Sequence, residues 1–569
     1  MSLQVTTATR SESIQSLINK HQPLLEKAIE AVHSRGFYAA YPESPSPKVY
    51  GEGVLEKGSA DFQNQLGKNF AGLLQQTDSW LKAKERSPYT MQDLDIAYPV
   101  CNALETYVKQ SQSALKQWRN TDYEVRAALL VESLEGVKGR FFELANATMH
   151  TTGQSFVMSF QASGPHANDR ALETIALGLY ELRRFPTQTV WEKPMGKFNI
   201  KLEKHYRAVP KGVALCIGCS TFPTWNTLPG LYANLITGNS VIVKPHPTAI
   251  YPIAIVVAEL QKTFAAYGLD PNIVQLACDT PEKPITKQLC ENKDVKLIDF
   301  TGSSVFGDYV ESLSGKTTFT EKAGINSVIL DSCSDLNAVM QNLAFSVSLY
   351  SGQMCTCPQN FFIPKSGIQV NGETVSYNNV VNLLTNAISG LATHEKMGPG
   401  ILGAIQSDAT YERVEQARNL GTTILLDSQP ITNPEFPNAR LQSPLVLEID
   451  PKNYSLLSRE LFGPVLFIIP TENTYQSVQL AKELAAHSGA ISCGAYTTSS
   501  EIAEMIITEM SESYTPVSFN LTGQIFLNQH AGFSDFHVTG GNPAGNASLT
   551  NPEFITKRYT LVGHRINLQ

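Results

Sequence analysis

Cys355 lies in Ser351-Gly-Gln-Met-Cys-Thr-Cys-Pro358, just past a glycine that fits a helix stop. A thiol in such a constrained turn can act as a nucleophile if local donors favour its thiolate; unperturbed, at a pKa of ~8.5, only about 3% is ionised at pH 7. Most free cysteines are small buried hydrophobes, and Cys357 fits that description. Glu321, in Thr318-Phe-Thr-Glu-Lys-Ala-Gly324, sits by a small-residue turn where a carboxylate can take a proton from water. Taken singly, it and Glu460, in Arg459-Glu-Leu-Phe-Gly-Pro464, also read as surface glutamates. Thr301-Gly-Ser-Ser-Val-Phe-Gly307 runs from a strand into a helix, so backbone N–H groups and the positive helix end face an anion. Gly302 there lets the backbone approach closely, and Gly307 lets the helix pack tightly on the sheet. Lys244 ends an apolar strand, where a lysine can reach a ribose or phosphate or simply extend to solvent. Cys216-Ile-Gly-Cys219 lies within an apolar strand rather than at a helix start, and the 11 histidines form no ligand pattern, so no metal is expected.

The elements that must position these residues form an α/β chain. A length of 569 residues implies two or three domains, and 42% apolar with 17% charged residues is ordinary globular composition. A net charge of -8 offers nothing to nucleic acid or anionic membrane. No apolar leader opens the chain, no apolar run reaches spanning length, and 9 scattered cysteines suit a reducing compartment, so a cytoplasmic location is expected. Helical spacing opens the chain around Pro23, an extended loop follows from Tyr41 to Lys48, and helical patterns return over 121–149 and 171–184. An alternating strand over 198–207 precedes buried strands 212–218, 241–244, 274–277 and 295–300, separated by helical stretches. That alternation predicts βαβ units and a parallel sheet. A second α/β unit starts after about residue 325, and the Gly/Asn/His-rich tail from Gly532 carries no clear pattern.

In order and spacing these segments resemble the aldehyde dehydrogenase superfamily over roughly residues 190–530. The carriers are Gly238-Asn-Ser-Val-Ile-Val-Lys-Pro245, Phe300-Thr-Gly-Ser303 with Gly307, Glu321-Lys-Ala-Gly324, Gly352-Gln-Met-Cys355 and Glu460-Leu-Phe-Gly-Pro-Val465. Thirty-four residues separate Glu321 from Cys355, the family's usual gap between base and nucleophile. The resemblance implies Cys355 as nucleophile and Glu321 as base. Gly302, Ser303 and Gly307 would serve the cofactor pyrophosphate, Lys244 the adenosine ribose, and Glu460 with Phe462 the nicotinamide ribose. It implies an aldehyde dehydrogenase-like fold: a Rossmann-like cofactor domain (1–190 and 211–322), an α/β catalytic domain (323–536), and a β-hairpin oligomerisation arm with tail (191–210 and 537–569). A homodimer or homotetramer follows from such an arm.

Three departures stand out. Where the family carries an oxyanion-holding asparagine this chain has Thr221, so Thr221, Asn226 or the Cys355 N–H must hold that charge. Where an acid often binds the ribose there is Pro247, which with His246 and Lys244 nearby favours NADP over NAD. The base motif reads Glu-Lys-Ala-Gly instead of Glu-Leu-Gly-Gly. Segments 41–51, 219–226 and 540–545 look like the phenylacetate-degradation (PaaN-type) branch, implying an aldehyde from ring opening of a CoA-linked phenylacetate derivative. The alternatives are a CoA-acylating enzyme, which the presence of Glu321 disfavours, and an inactive cofactor-binding relative.

Overall fold

The apolar runs expected to be buried strands do assemble in parallel. Val274–Leu276, Ser240–Lys244, Val213–Ile217, Val295–Thr301 and Thr317–Glu321 lie side by side in that order in the computed structural model, which describes residues 2–527, 533 and 537–568. Val213–Ile217 and Ser240–Lys244 are buried along their whole length, which is why their sequences are continuously apolar rather than alternating. Register then does the functional work. Lys244 is opposite Ile217, Ile217 opposite Phe300, and Thr301 opposite Glu321, so these residues share the carboxyl edge of one sheet. Ligands on open α/β sheets bind beyond that edge.

The second α/β unit is a seven-stranded sheet in the order Thr423–Leu426, Leu445–Glu448, Val465–Thr471, Asn360–Pro364, Ser327–Leu330, Cys493–Tyr496, Val517–Phe519. All its pairings are parallel except that of Thr423–Leu426 with Leu445–Glu448.

The arm is a three-stranded antiparallel ribbon of Gln188–Met195, Phe198–Pro210 and Tyr559–Asn567. Gly196, at φ 68°, opens its two-residue turn, where an L side chain would be strained. Of the tail assigned to the arm in the sequence reading, only Tyr559–Asn567 joins it. Residues 537–558 return to the five-stranded sheet instead: Lys322 N–H donates to the Ala544 carbonyl, Gly545 bridges to Glu321, and Asn546 accepts from Thr320 N–H. Fully buried Arg558 grips Asp299 with two hydrogen bonds of 2.7 and 2.8 Å and stacks on Phe319. No local periodicity announces such contacts, because each is made across hundreds of residues.

The amino-terminal helix runs unbroken from Ser2 to Ser34 with Pro23 inside it, and packs on Tyr123–Lys138 and Ala167–Arg183. The pattern over 121–149 is two helices, Tyr123–Lys138 and Phe141–Thr152, parted at Gly139-Arg140. The expected extended loop stops short of Lys48: a one-turn helix begins at Pro47, where proline suits the first helical position and the Ser46 hydroxyl accepts from Lys48 N–H. No helix among the described residues is long and apolar enough to cross a membrane.

Candidate active site

Glu321 is the last residue of its strand, which delivers its carboxylate to the sheet edge, and its carbonyl accepts the Gly302 N–H at 3.1 Å. Cys355 arrives from the other unit. The helix ahead of it ends at Ser348, earlier than the glycine stop expected at 352, and Tyr350, Ser351 and Gly352 follow with φ of 53°, 50° and 65°. Left-handed backbone at two non-glycine residues is costly, about 1–3 kcal/mol each, and marks an over-determined turn. At Gly352 a Cβ would lie 2.4 Å from the Gly463 carbonyl oxygen, so this glycine seats the Cys355 loop on the Glu460–Pro464 segment. Buried Asn326, which sequence reasoning missed, clamps the same loop: its amide donates to the carbonyls of Cys355 (2.7 Å) and Cys357 (3.1 Å), and its oxygen accepts from Ile491 and Ser492 N–H.

Glu321 and Cys355 meet. The sulfur lies beside the carboxylate, and burial, reinforced by the Glu321 charge, then by Cys219 and Glu460, pushes the Cys355 thiol well above its usual range. All of these influences favour the neutral form, so the sulfur rests as a thiol beside the Glu321 carboxylate. Glu321 moves the other way: burial raises it, but His537, Arg170 and the thiol more than compensate, leaving it below the usual carboxylate range. Asn226 also donates one amide N–H to Glu321, at 3.2 Å. Polar atoms of Cys355, Glu321 and His537 all lie within 4.8 Å of one another. His537 falls in the tail whose sequence carried no pattern; nothing in its spacing signals this placement.

Two cavities join at Cys355. One, about 660 Å³, runs along the carboxyl edge and is bordered by Thr221, Lys244, His246, Gly302, Ser303, Glu321, Glu460 and Phe462. Ser303 precedes helix Ser304–Glu311, so that helix's free N–H groups open onto this cleft. The cleft thus has the position, size and anion-binding end that a dinucleotide requires. Gly307 does not border it; it is buried one turn into the helix, where a Cβ would strike Lys322 at 2.4 Å. The Glu460 carboxyl is pushed up to about 7 by burial, against Arg413 and the Gly324 N–H.

The other cavity, about 250 Å³, is apolar: Phe222, Trp225, Phe345, Leu349, Met354 and Phe526 border it, with His166 and His537. The two charges thought to attract a 2′-phosphate are altered by the fold. Lys244, only 3% exposed, pairs with Asp279 at 2.5 Å, an acid supplied just past the neighbouring strand. Burial, then Lys244, pulls His246 down to about 4, so it is neutral at pH 7.

Comparison with known proteins places this geometry. The model of the aldehyde dehydrogenase family matches residues 86–541. The crystal structure of an NAD-dependent aldehyde dehydrogenase from Burkholderia multivorans superposes with a TM-score of 0.94 at 42% identity, covering 97% of this chain and 99% of that one. The 4-trimethylaminobutyraldehyde dehydrogenase B of Danio rerio is 23% identical, over 81% of this chain and 84% of its own length. The NAD(+) benzaldehyde dehydrogenase of Pseudomonas putida is 23% identical, over 66% and 73%.

Proposed function

Because the chain belongs to the aldehyde dehydrogenase family, we propose that it oxidises an aldehyde with an apolar body to the free acid through a thioester on Cys355. It is an oxidoreductase acting on aldehydes with NAD or NADP. The observation that carries the finer reading is the position of the Cys355 thiol: on Glu321, at the junction of the cleft and the apolar pocket.

As sulfur bonds to the carbonyl carbon, its proton passes to Glu321, whose carboxylate lies within 4.8 Å of it. The Cys355 N–H and the Thr221 hydroxyl hold the oxyanion, one amide N–H of Asn226 being occupied on Glu321. The bound dinucleotide supplies the acceptor for the hydride that the collapsing oxyanion expels. Glu321 releases its proton into the open cleft, then takes another from a water whose oxygen attacks the thioester carbon. The C–S bond breaks and the acid departs. Gly302 and Ser303 would face the pyrophosphate, Lys244 and His246 the adenosine ribose, Glu460 and Phe462 the nicotinamide end. Gly307 would hold the helix in place.

For the substrate we favour the semialdehyde from ring opening of a CoA-linked phenylacetate derivative. The segments 41–51, 219–226 and 540–545 and the aromatic pocket support it. For the cofactor, the Lys244–Asp279 pair and neutral His246 leave little to bind a 2′-phosphate, so NAD replaces NADP as the tighter ligand expected. Assaying aliphatic, aromatic and CoA-linked aldehydes with each dinucleotide, with and without free CoA, tests all three points. Free acid without added CoA, best efficiency for the CoA-linked aldehyde and a lower Kd for NAD are expected. Product only as an acyl-CoA, or reduction of neither dinucleotide, would overturn the hydrolytic reading, and tighter NADP binding the cofactor one.

The arm exposes Val190, Met195, Phe198, Leu561, Val562 and Ile566, more apolar surface than a solvated ribbon should show, and we propose that it joins a homodimer or homotetramer. Light scattering should give two or four chain masses, falling on removal of 559–569; a monomeric full-length protein would overturn this.

A further inference from the structure

The water step asks most of Glu321, which must be ionised and aimed at the thioester carbon, and its surroundings are arranged for both. The Nε2 of His537 lies 3.1 Å from Oε1 of Glu321, the same oxygen that accepts from Asn226. His537 is itself held. Trp225 meets it edge-to-face at 5.0 Å between centroids, and the Arg170 guanidinium lies 3.6 Å from the centre of that indole. Trp225 and His537 also border the apolar pocket, so this stack stands where substrate meets base. The charged and titratable groups facing Glu321 are His537, Arg170, Cys355 and Cys219, with Glu173 bordering the small cavity behind it.

Resting on the thioester reading above, we propose that His537 is a positioning residue for Glu321: its Nε2–H donates to the carboxylate, fixing it towards Cys355 and keeping it ionised for the attack of water on the thioester. In that step a water O–H breaks, its proton goes to Glu321, a C–O bond forms at the acyl carbon, and the C–S bond then breaks. His537 touches none of the reacting atoms in this scheme; it acts through the base. The direction of the Glu321 shift agrees, since after burial the neighbouring His537 charge is the foremost influence on it, and it is downward.

The test compares wild type, His537→Ala and His537→Gln by rapid mixing with an aldehyde that the wild type turns over, and by the pH profile of kcat. For His537→Ala a burst of about one reduced dinucleotide per site should persist, followed by a steady rate lowered about 10–100-fold, the scale of a misplaced catalytic group. The acid limb of kcat should move to higher pH, because a carboxylate that loses a cationic neighbour protonates sooner. His537→Gln keeps an N–H donor without the charge. It should recover part of the steady rate while retaining the displaced limb, and it carries the test alone if the alanine variant does not fold. Unchanged kcat and acid limb would overturn the inference, as would an equal loss of burst and steady rates with a raised KM, the mark of a mere pocket wall. A wild type that reduces dinucleotide with no aldehyde overturns the thioester reading itself; an active wild type indifferent to His537 overturns only this inference.

Discussion

Cys355→Ser should lower aldehyde-dependent reduction of the dinucleotide by at least about four orders of magnitude, the scale on which removal of a covalent nucleophile is felt. The variant changes one atom at the nucleophile. Its loop is held from elsewhere, by Asn326 on the carbonyls of residues 355 and 357 and by Gly352 against Gly463, so the backbone should stay in place. The cleft that would take the dinucleotide is bordered by many other residues, from Lys244 to Phe462. Quenching of protein fluorescence by NAD should therefore match wild type while turnover is lost. A serine hydroxyl is far less acidic than a thiol, and Glu321, held low by its neighbours, is a weak base for it. Retained activity would remove the assignment of Cys355.

Glu321→Gln should divide the reaction in two. The steady rate should fall by about 10²–10⁴-fold, the usual contribution of a general base, while a first equivalent of reduced dinucleotide still forms and an acylated chain accumulates, visible as a mass increment on the protein. Added CoA, bringing its own thiol, should release that acyl group as a thioester. The resting sulfur should change in the opposite sense from the rate. After burial, the Glu321 carboxylate is the chief cause of the raised Cys355 pKa, so a neutral amide lowers that pKa and enlarges the thiolate fraction at pH 7. Iodoacetamide should then label Cys355 faster in the variant than in wild type. Slower labelling would mean that Glu321 does not face the sulfur, and a full steady rate would mean that it is not the base.

The site was legible in the sequence where chemistry and local geometry coincide in a short stretch. Lys244 ends a buried strand and Gly302 and Ser303 follow another, and a parallel sheet in simple register brings such ends to one edge; the strand that ends at Glu321 was not read from the sequence. Cys355 and Glu460 lie on loops of the other α/β unit, and their place at the same cleft followed from resemblance, not from periodicity. Thr221 was identified as a departure, and the structure adds that Asn226, the other side chain considered there, spends one of its two amide N–H groups on Glu321.

What the sequence determined by itself is therefore the alternation of buried strands and helices, and the residues presented at the strands' carboxyl ends, because both depend on burial and spacing within a few residues. Tertiary structure alone decided the rest. Asp279 pairs with Lys244, Asn326 clamps the loop that carries Cys355, and His537 comes from a stretch without pattern to stand against Glu321. These contacts join residues far apart in the chain. Their energies depend on distance and burial in the folded state, and a hydrogen bond or charge pair between such partners leaves no period in the sequence to be read.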